Sequence, residues 1–304
     1  MRNIPQAVRD RALSAGAVGE NWLKNLEQLI AELENKWHIR VGDALSGGTS
    51  AFAAFADGAN GEEYVLRIDM PASGDEDMFR QNLEVLKIAG GIGYAELIAY
   101  DVEKRAMLLE RLGKPLADMG FSVKEQIRII CETLMKTWEI PLENPALPDG
   151  GASIAWFKEF IPAEHARRNR PCPQRVIDQA VRYLDAREAA KNPAEYVLVH
   201  GDAHATNTLQ AKDGGFKLID ADGAFYEKGA DLGVLMREWR EKYEGDIRAV
   251  GEARCDWICE VTGADRDSVW QWGYIQCVST ALFAIDFLPE ASQKLFEIAE
   301  AWCE

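Results

Sequence analysis

The stretch VLVHGDAHATNTLQ (residues 197–210) sets an apolar run against a cluster of His200, Asp202, His204 and Asn207, then leaves through a second apolar run. Such a cluster admits three readings: a metal site, a charge relay, or a polar turn between two strands. The chain that follows, TLQAKDGGFKLID (208–220), reads as a hairpin turned at Asp213-Gly214-Gly215, residue types that tight turns favour. That hairpin returns the chain so that Asp220 lands near Asn207. The two stretches together gather two carboxylates and one amide oxygen.

Oxygen donors of this kind suit a hard cation such as Mg²⁺, which completes its shell with water and substrate phosphates. Zinc would call for His and Cys in tetrahedral spacing, and no cysteine or third histidine is close in sequence. If Asn207 and Asp220 hold the metal, Asp202 remains as a carboxylate able to orient an attacking hydroxyl or accept its proton. The order Asp, Asn, then Asp one hairpin later is the phosphoryl-transfer order of protein kinases. A single Asp or Asn in a loop is commonly a turn cap; three at this spacing favour chemistry. No GxxxxGK[ST] occurs, which argues against a P-loop kinase.

Working outward, VGENWLKNLEQLIAELENKWHI (18–39) spaces Trp22, Leu26, Leu29, Ile30, Leu33 and Trp37 as an amphipathic helix. Residues 38–69 then read as three antiparallel strands joined at Gly47-Gly48 and at DGANGEE (57–63). A helix is expected over Asp75–Ala89 and two more strands within AELIAYDVEKRAMLLERLG (95–113). Beyond Pro115 helical periods dominate, over Val123–Trp138, Pro173–Ala190, Gly229–Tyr243, Ile247–Val261, Ser268–Phe287 and Pro289–Trp302. The fold class is therefore α+β, with a small antiparallel sheet lobe (1–110), a hinge (111–115) and a larger helical lobe (116–304).

Composition narrows the partners. With 304 residues, 47% hydrophobic and 28% charged, the chain has the makeup of an ordinary globular protein. Fifty acidic against 34 basic residues give a net charge of −16, which repels nucleic acid and anionic membranes and attracts a cationic ligand. The N-terminus lacks the apolar core of a secretory signal, no apolar run reaches a membrane span, and the six cysteines form no CxxC pair. A cytoplasmic protein with free thiols, a monomer or weak dimer, is the expectation.

At HGDAHATN (200–207) and LIDADG (218–223) the chain resembles the aminoglycoside phosphotransferases, small-molecule kinases with a protein-kinase-like two-lobe fold. LSGGTSAFAAF (45–55) is similar to that family's nucleotide loop, MLLERLGKPL (107–116) to its hinge, and GADLG (229–233) to the segment after its metal-binding aspartate. MLLERLGKPL, DADGAFYEKGADLG (220–233) and WGYIQCVSTALFAID (272–286) look most like the streptomycin and hydroxyurea kinase branch. The resemblance implies Asp202 as catalytic base, Asn207 and Asp220 as Mg²⁺ ligands, and His200 and His204 as loop supports. It implies an ATP site, with GTP left open, built from Ser46, Gly47, Gly48, Thr49 and Ser50 over the phosphates and Glu110 and Leu112 at the hinge.

Two departures stand out. YVLRIDM (64–70) offers Arg67 where the family places a phosphate-gripping lysine; arginine keeps the charge but brings a planar fork of donors. Its acidic partner is ambiguous between Glu76 and Glu84, with Gln81 in a competing register, and Glu84 is the residue expected. Acids of the helical lobe are expected to bind a cationic acceptor, the candidates being Glu227, Asp231, Asp286 and Glu290; Asp231 within GADLG equally suits a loop brace. The function expected is transfer of the ATP γ-phosphoryl group to a hydroxyl of a streptomycin-like aminoglycoside. The alternatives are a kinase of a peptide antibiotic, hydroxyurea or amino alcohol, or an inactive nucleotide-binding module that Arg67 would mark.

Overall fold

Two helices, α1 (Gln6–Ser14) and α2 (Ala17–Trp37), open the chain and meet at a close crossing. Gly19 permits it: a Cβ there would lie 1.9 Å from the Ala12 carbonyl oxygen. Trp22, Leu26, Ile30 and Leu33 form the buried stripe of α2, which ends where His38 turns left-handed at φ 54°. The computed structural model describes residues 3–48, 50–71, 78–141 and 147–303. The chain divides into two units, Met1–Gly113 and Lys114–Glu304.

The first unit holds a five-stranded antiparallel sheet of β1 (Ile39–Ala44), β2 (Ala51–Gly58), β3 (Glu63–Asp69), β4 (Leu97–Asp101) and β5 (Ala106–Glu110), ordered β1-β2-β3-β5-β4. Alternation sets its buried face: Phe52, Ala54 and Ala56 of β2 and Leu66 and Ile68 of β3 join Leu26, Ile30 and Leu33 in one core. One helix, α3 (Met78–Ala89), is inserted after the third strand. The start expected for it at Asp75 lies outside the described residues, as do Thr49 and Glu76.

In the second unit α4 (Val123–Thr137) begins at a capping box, Ser122 and Glu125 each satisfying the other's backbone N–H. Then come α5 (Gly150–Arg167) and α6 (Gln174–Ala189), the short strands β6 (Val197–Val199), β7 (Thr208–Gln210), β8 (Phe216–Leu218) and β9 (Ala224–Tyr226), and α7 (Lys228–Arg237). Three helices finish the chain: α8 (Ile247–Thr262), α9 (Arg266–Ala284) and α10 (Pro289–Trp302). α9 is the hub, apolar nearly all round and buried through Val269, Trp272, Ile275, Val278 and Leu282. Several elements differ from expectation, among them α1 and β9, which the sequence reading did not include. α5 was not foreseen, and the helix expected over Gly229–Tyr243 stops at Arg237, where Glu238 turns extended at ψ 164° and Trp239 left-handed at φ 48°.

No helix among the described residues is long and apolar enough to cross a membrane. None of the six cysteines is in a disulfide.

Candidate active site

The loop His200–Asn207 hangs between two small antiparallel pairings, β6 with β9 and β7 with β8. Its partner loop, Asp220–Gly223, is stitched to it by backbone bonds. The N–H groups of Asp222 and Gly223 donate to the His200 carbonyl at 2.9 and 3.2 Å, and Ile219 N–H donates to the Asn207 carbonyl at 3.0 Å. The hairpin read from Asp213-Gly214-Gly215 thus brings Asp220 beside Asn207. Asp220 is exposed with φ 63°, a left-handed conformation that a non-glycine residue adopts at some cost and that is common at functional sites.

His200 is fully buried. Its Nδ1 accepts from Asp202 N–H at 3.1 Å, which leaves Nε2 to donate to the Ile219 carbonyl at 2.9 Å. Burial pulls its pKa below the ordinary histidine value, so it stays neutral and serves as a strut between the two loops. His204 does more than shape the loop. Its Nδ1 accepts from Asn207 N–H at 3.3 Å, and its Nε2 faces Asp202 Oδ2 at 3.5 Å. Burial alone would lower its pKa, but the bond and charge of Asp202 outweigh burial and raise it.

Asp202 is less free than the sequence suggests. Its Oδ1 accepts from Arg237 Nη2, a residue the sequence reading missed. Burial pushes the Asp202 carboxyl up, yet the His204 bond and the charges of Arg237 and the histidines prevail and hold it well below the usual carboxylate range. Asn207 donates its side-chain Nδ2 to the Asp202 carbonyl at 3.2 Å, which turns Oδ1 away as an available oxygen. Asn207 Oδ1 and the Asp220 carboxylate are hard donors of the type Mg²⁺ takes, two protein oxygens leaving room for water and phosphate. Among the described residues no group of three or more His, Cys, Asp or Glu side chains is placed to hold a metal.

The four residues expected to contact the acceptor lie in different surroundings. Asp231 is wholly buried: Oδ1 accepts from His200 N–H at 2.8 Å and Gly201 N–H at 2.9 Å, and Oδ2 from Trp138 Nε1 at 3.1 Å. It braces the loop from behind and is out of reach of a ligand. Glu227 accepts from Trp272 Nε1 at 2.7 Å, Ser268 Oγ at 2.8 Å and Arg187 Nη1 at 3.2 Å, a knot tying α6 and α9 to the start of α7. Asp286, exposed two residues beyond the end of α9, is paired with Arg168 at 2.6 Å. Glu290 lies exposed in the first turn of α10.

In the first unit Ser46, Gly47, Gly48 and Ser50 form an exposed β1–β2 turn, with Gly47 at φ 118°. Among the described residues Arg67 meets an acid of its own strand. Its Nε and Nη2 fork the buried Asp69 carboxylate at 2.8 and 3.0 Å, whereas Glu84 is taken by Lys87 at 2.7 Å. Asp69 stands two residues from Arg67 on the same face of β3, a period-two signal that the search for a helical partner passed over. Glu110 ends β5, its carboxylate accepting from Glu96 N–H at 2.9 Å, and Leu112 is buried beyond it.

The sequence pattern of the aminoglycoside/hydroxyurea antibiotic resistance kinases matches residues 36–286. A streptomycin 6-kinase of Streptomyces griseus is 26% identical over 293 residues, covering 95% of this chain and 92% of the relative. A hydroxyurea phosphotransferase of Kitasatospora aureofaciens is 24% identical over 297 residues, 93% of this chain and 81% of that protein. Among solved structures, a choline kinase from Streptococcus pneumoniae matches with TM-score 0.62 at 14% identity over 91% of this chain and 99% of its own. An aminoglycoside phosphotransferase from Streptomyces rimosus in complex with ADP and streptomycin matches with TM-score 0.55 at 17% identity over 84% and 98%. With a protein-kinase-like fold and a family pattern spanning both of its units, this chain belongs to the aminoglycoside/hydroxyurea antibiotic resistance kinase family and is a small-molecule kinase.

Proposed function

We propose that the chain transfers the γ-phosphoryl group of ATP to a hydroxyl of a cationic aminoglycoside of the streptomycin type. The observation that carries this reading is the assembly of Asp202, Asn207 and Asp220 by the Ile219–Asn207 and Asp222–His200 backbone bonds. In the first unit the β1–β2 turn offers backbone N–H groups and Arg67 a guanidinium to the nucleotide phosphates, with Glu110 and Leu112 at the base end. In the second unit Asp202 orients the acceptor hydroxyl and takes its proton as the acceptor oxygen bonds to the γ-phosphorus and the bond to the ADP oxygen breaks. Asn207 and Asp220 would hold Mg²⁺, which would neutralise phosphate charge when bound. Residues 1–110 are thus read as the nucleotide lobe, 111–115 as the hinge and 116–304 as the acceptor lobe.

The test is ATP consumption over a panel of streptomycin, other aminoglycosides, hydroxyurea and choline, with and without Mg²⁺. Turnover is expected with streptomycin, dependent on Mg²⁺, and Asp202→Ala is expected to reduce kcat by about 10²- to 10⁴-fold. Undiminished turnover by that variant removes Asp202 from the chemistry, and turnover confined to hydroxyurea or choline reassigns the acceptor.

A further inference from the structure

Arg237 sits where three independent constraints converge. Two glycines set its approach. Gly229, Gly233 and Arg237 follow one another at four-residue spacing along one face of α7. A Cβ on Gly229 would meet Ser268 Oγ at 2.0 Å, and one on Gly233 would meet the Trp272 backbone carbon at 2.7 Å, so this face lies hard against α9. One turn further on the same face delivers the Arg237 guanidinium to α9, where Nη1 donates to Gln276 Oε1 at 2.7 Å and Thr280 Oγ1 at 2.8 Å.

The end of α7 is pinned as well. The buried Arg254 donates Nη1 to the Leu235 carbonyl at 3.2 Å and also to that of Glu238, and Tyr243 Oη donates to the Met236 carbonyl at 2.6 Å. These cover carbonyls that a helix C-terminus otherwise leaves unsatisfied, and they place a cation at the negative end of its dipole. Trp239, left-handed and donating Nε1 to Gln126 at 3.3 Å, turns the chain away one residue after Glu238. Glu238 Oε1 stands 3.5 Å from Arg237 Nε. Nε is buried with no hydrogen-bond partner in this mounting, and Nη2 is bonded to Asp202 Oδ1.

We propose that Arg237 is the positioning residue of Asp202: α9 holds the guanidinium, the guanidinium holds Oδ1, and Oδ2 is thereby the oxygen presented to the acceptor hydroxyl. This rests on the phosphotransferase reading of Asp202. A carboxylate tethered through neither oxygen samples a range of side-chain angles, and misplacement by about 1 Å costs on the order of 10²-fold in rate. Oδ2 is the oxygen facing His204 Nε2, so the hydroxyl meets a carboxylate oriented from both sides. The acceptor's proton passes to Oδ2 as its oxygen bonds to the γ-phosphorus and ADP leaves. Arg237 touches neither acceptor nor phosphate and acts through Asp202 alone.

The experiment is a double-mutant cycle on the full chain with streptomycin and Mg²⁺-ATP, comparing Asp202→Asn, Arg237→Met and the pair. Arg237→Met is expected to lower kcat by about 10²-fold while both KM values stay within about two-fold, the pattern of an interaction felt at the transition state. The double variant should be no slower than Asp202→Asn alone. Arg237→Lys, which keeps a cation but cannot bond Gln276, Thr280 and Asp202 together, is expected to recover part of kcat, and it carries the test if Arg237→Met fails to fold. Wild-type kcat in both Arg237 variants overturns the proposal, as do penalties that multiply in the pair or a loss that falls on acceptor KM alone. A fully active Asp202→Asn overturns the reading of Asp202, and the Arg237 proposal with it. A crippled Asp202→Asn beside an unimpaired Arg237→Met overturns the Arg237 proposal and spares that reading.

Discussion

Asp231 shows how much of this site is scaffold. Burial, opposed by bonds from Gly201, Trp138 and His200, raises its pKa from the ordinary 3.8 to about 6. Between those values the folded chain binds more protons at this position than the unfolded chain, so its contribution makes unfolding easier as pH rises from 3.8 to about 6. Asp231→Asn abolishes that titration. The variant's stability deficit relative to wild type is therefore expected to shrink as pH rises through this window in urea unfolding, and a deficit that stays constant with pH would refute the account. The amide also sets a donor against Trp138 Nε1, so a residual loss of about 1–3 kcal/mol should remain at neutral pH. The aspartate in GADLG was visible in the sequence, but its burial was not, because three donors from two distant segments create it.

At the scale of elements, the α7–α9 pair is the piece on which the geometry of Asp202 depends. Gly233→Ala drives a Cβ into the Trp272 backbone at 2.7 Å, where nothing flexible can yield. Overpacking of this kind costs about 1–3 kcal/mol, and the shift of α7 should also displace Arg237. Thermal unfolding is expected to register the first effect and kcat the second, whereas a variant with unchanged melting and unchanged kcat would show the helices to be loosely apposed. Most of the helices were legible from period 3.6, as α2 and α4 show. α5 was not: it opens on Gly150-Gly151, carries Pro162 inside, and exposes Trp156 while burying only Ile154, Ile161 and a few others, so no apolar stripe announces it. α1 is short, and its stripe is reduced to Val8 and Ala12.

For the whole molecule the net charge of −16 acts through its field. If the acceptor is a polycation, its KM is expected to rise several-fold as salt is raised from about 0.05 to about 0.5 M, with kcat little changed, because screening shortens the reach of the acidic surface. A neutral acceptor such as hydroxyurea should show a flat KM over the same range. Steady-state kinetics in sodium chloride separates the two, and a flat response with streptomycin would leave the acidity without a role in binding.

Sequence by itself determined the class of protein and singled out the loop on which the proposed chemistry rests. HGDAHATN and LIDADG carry their order and spacing locally, and a turn at Asp213-Gly214-Gly215 is enough to bring Asn207 and Asp220 together. Alternation and helical period likewise marked the sheet and most helices, since both are properties of near neighbours in the chain. Tertiary structure alone decided which charges pair. Arg237 reaches Asp202 across 35 residues, and Glu227 is spent on Trp272 across 45, because α7 lies against α9. Among the described residues Arg67 forks the Asp69 carboxylate, which leaves β3 on the same face two residues on, and Glu84 pairs with Lys87. Hydrogen bonds between elements depend on packing distances that no local pattern encodes, which is why the candidate catalytic loop could be read from the chain and its support could not.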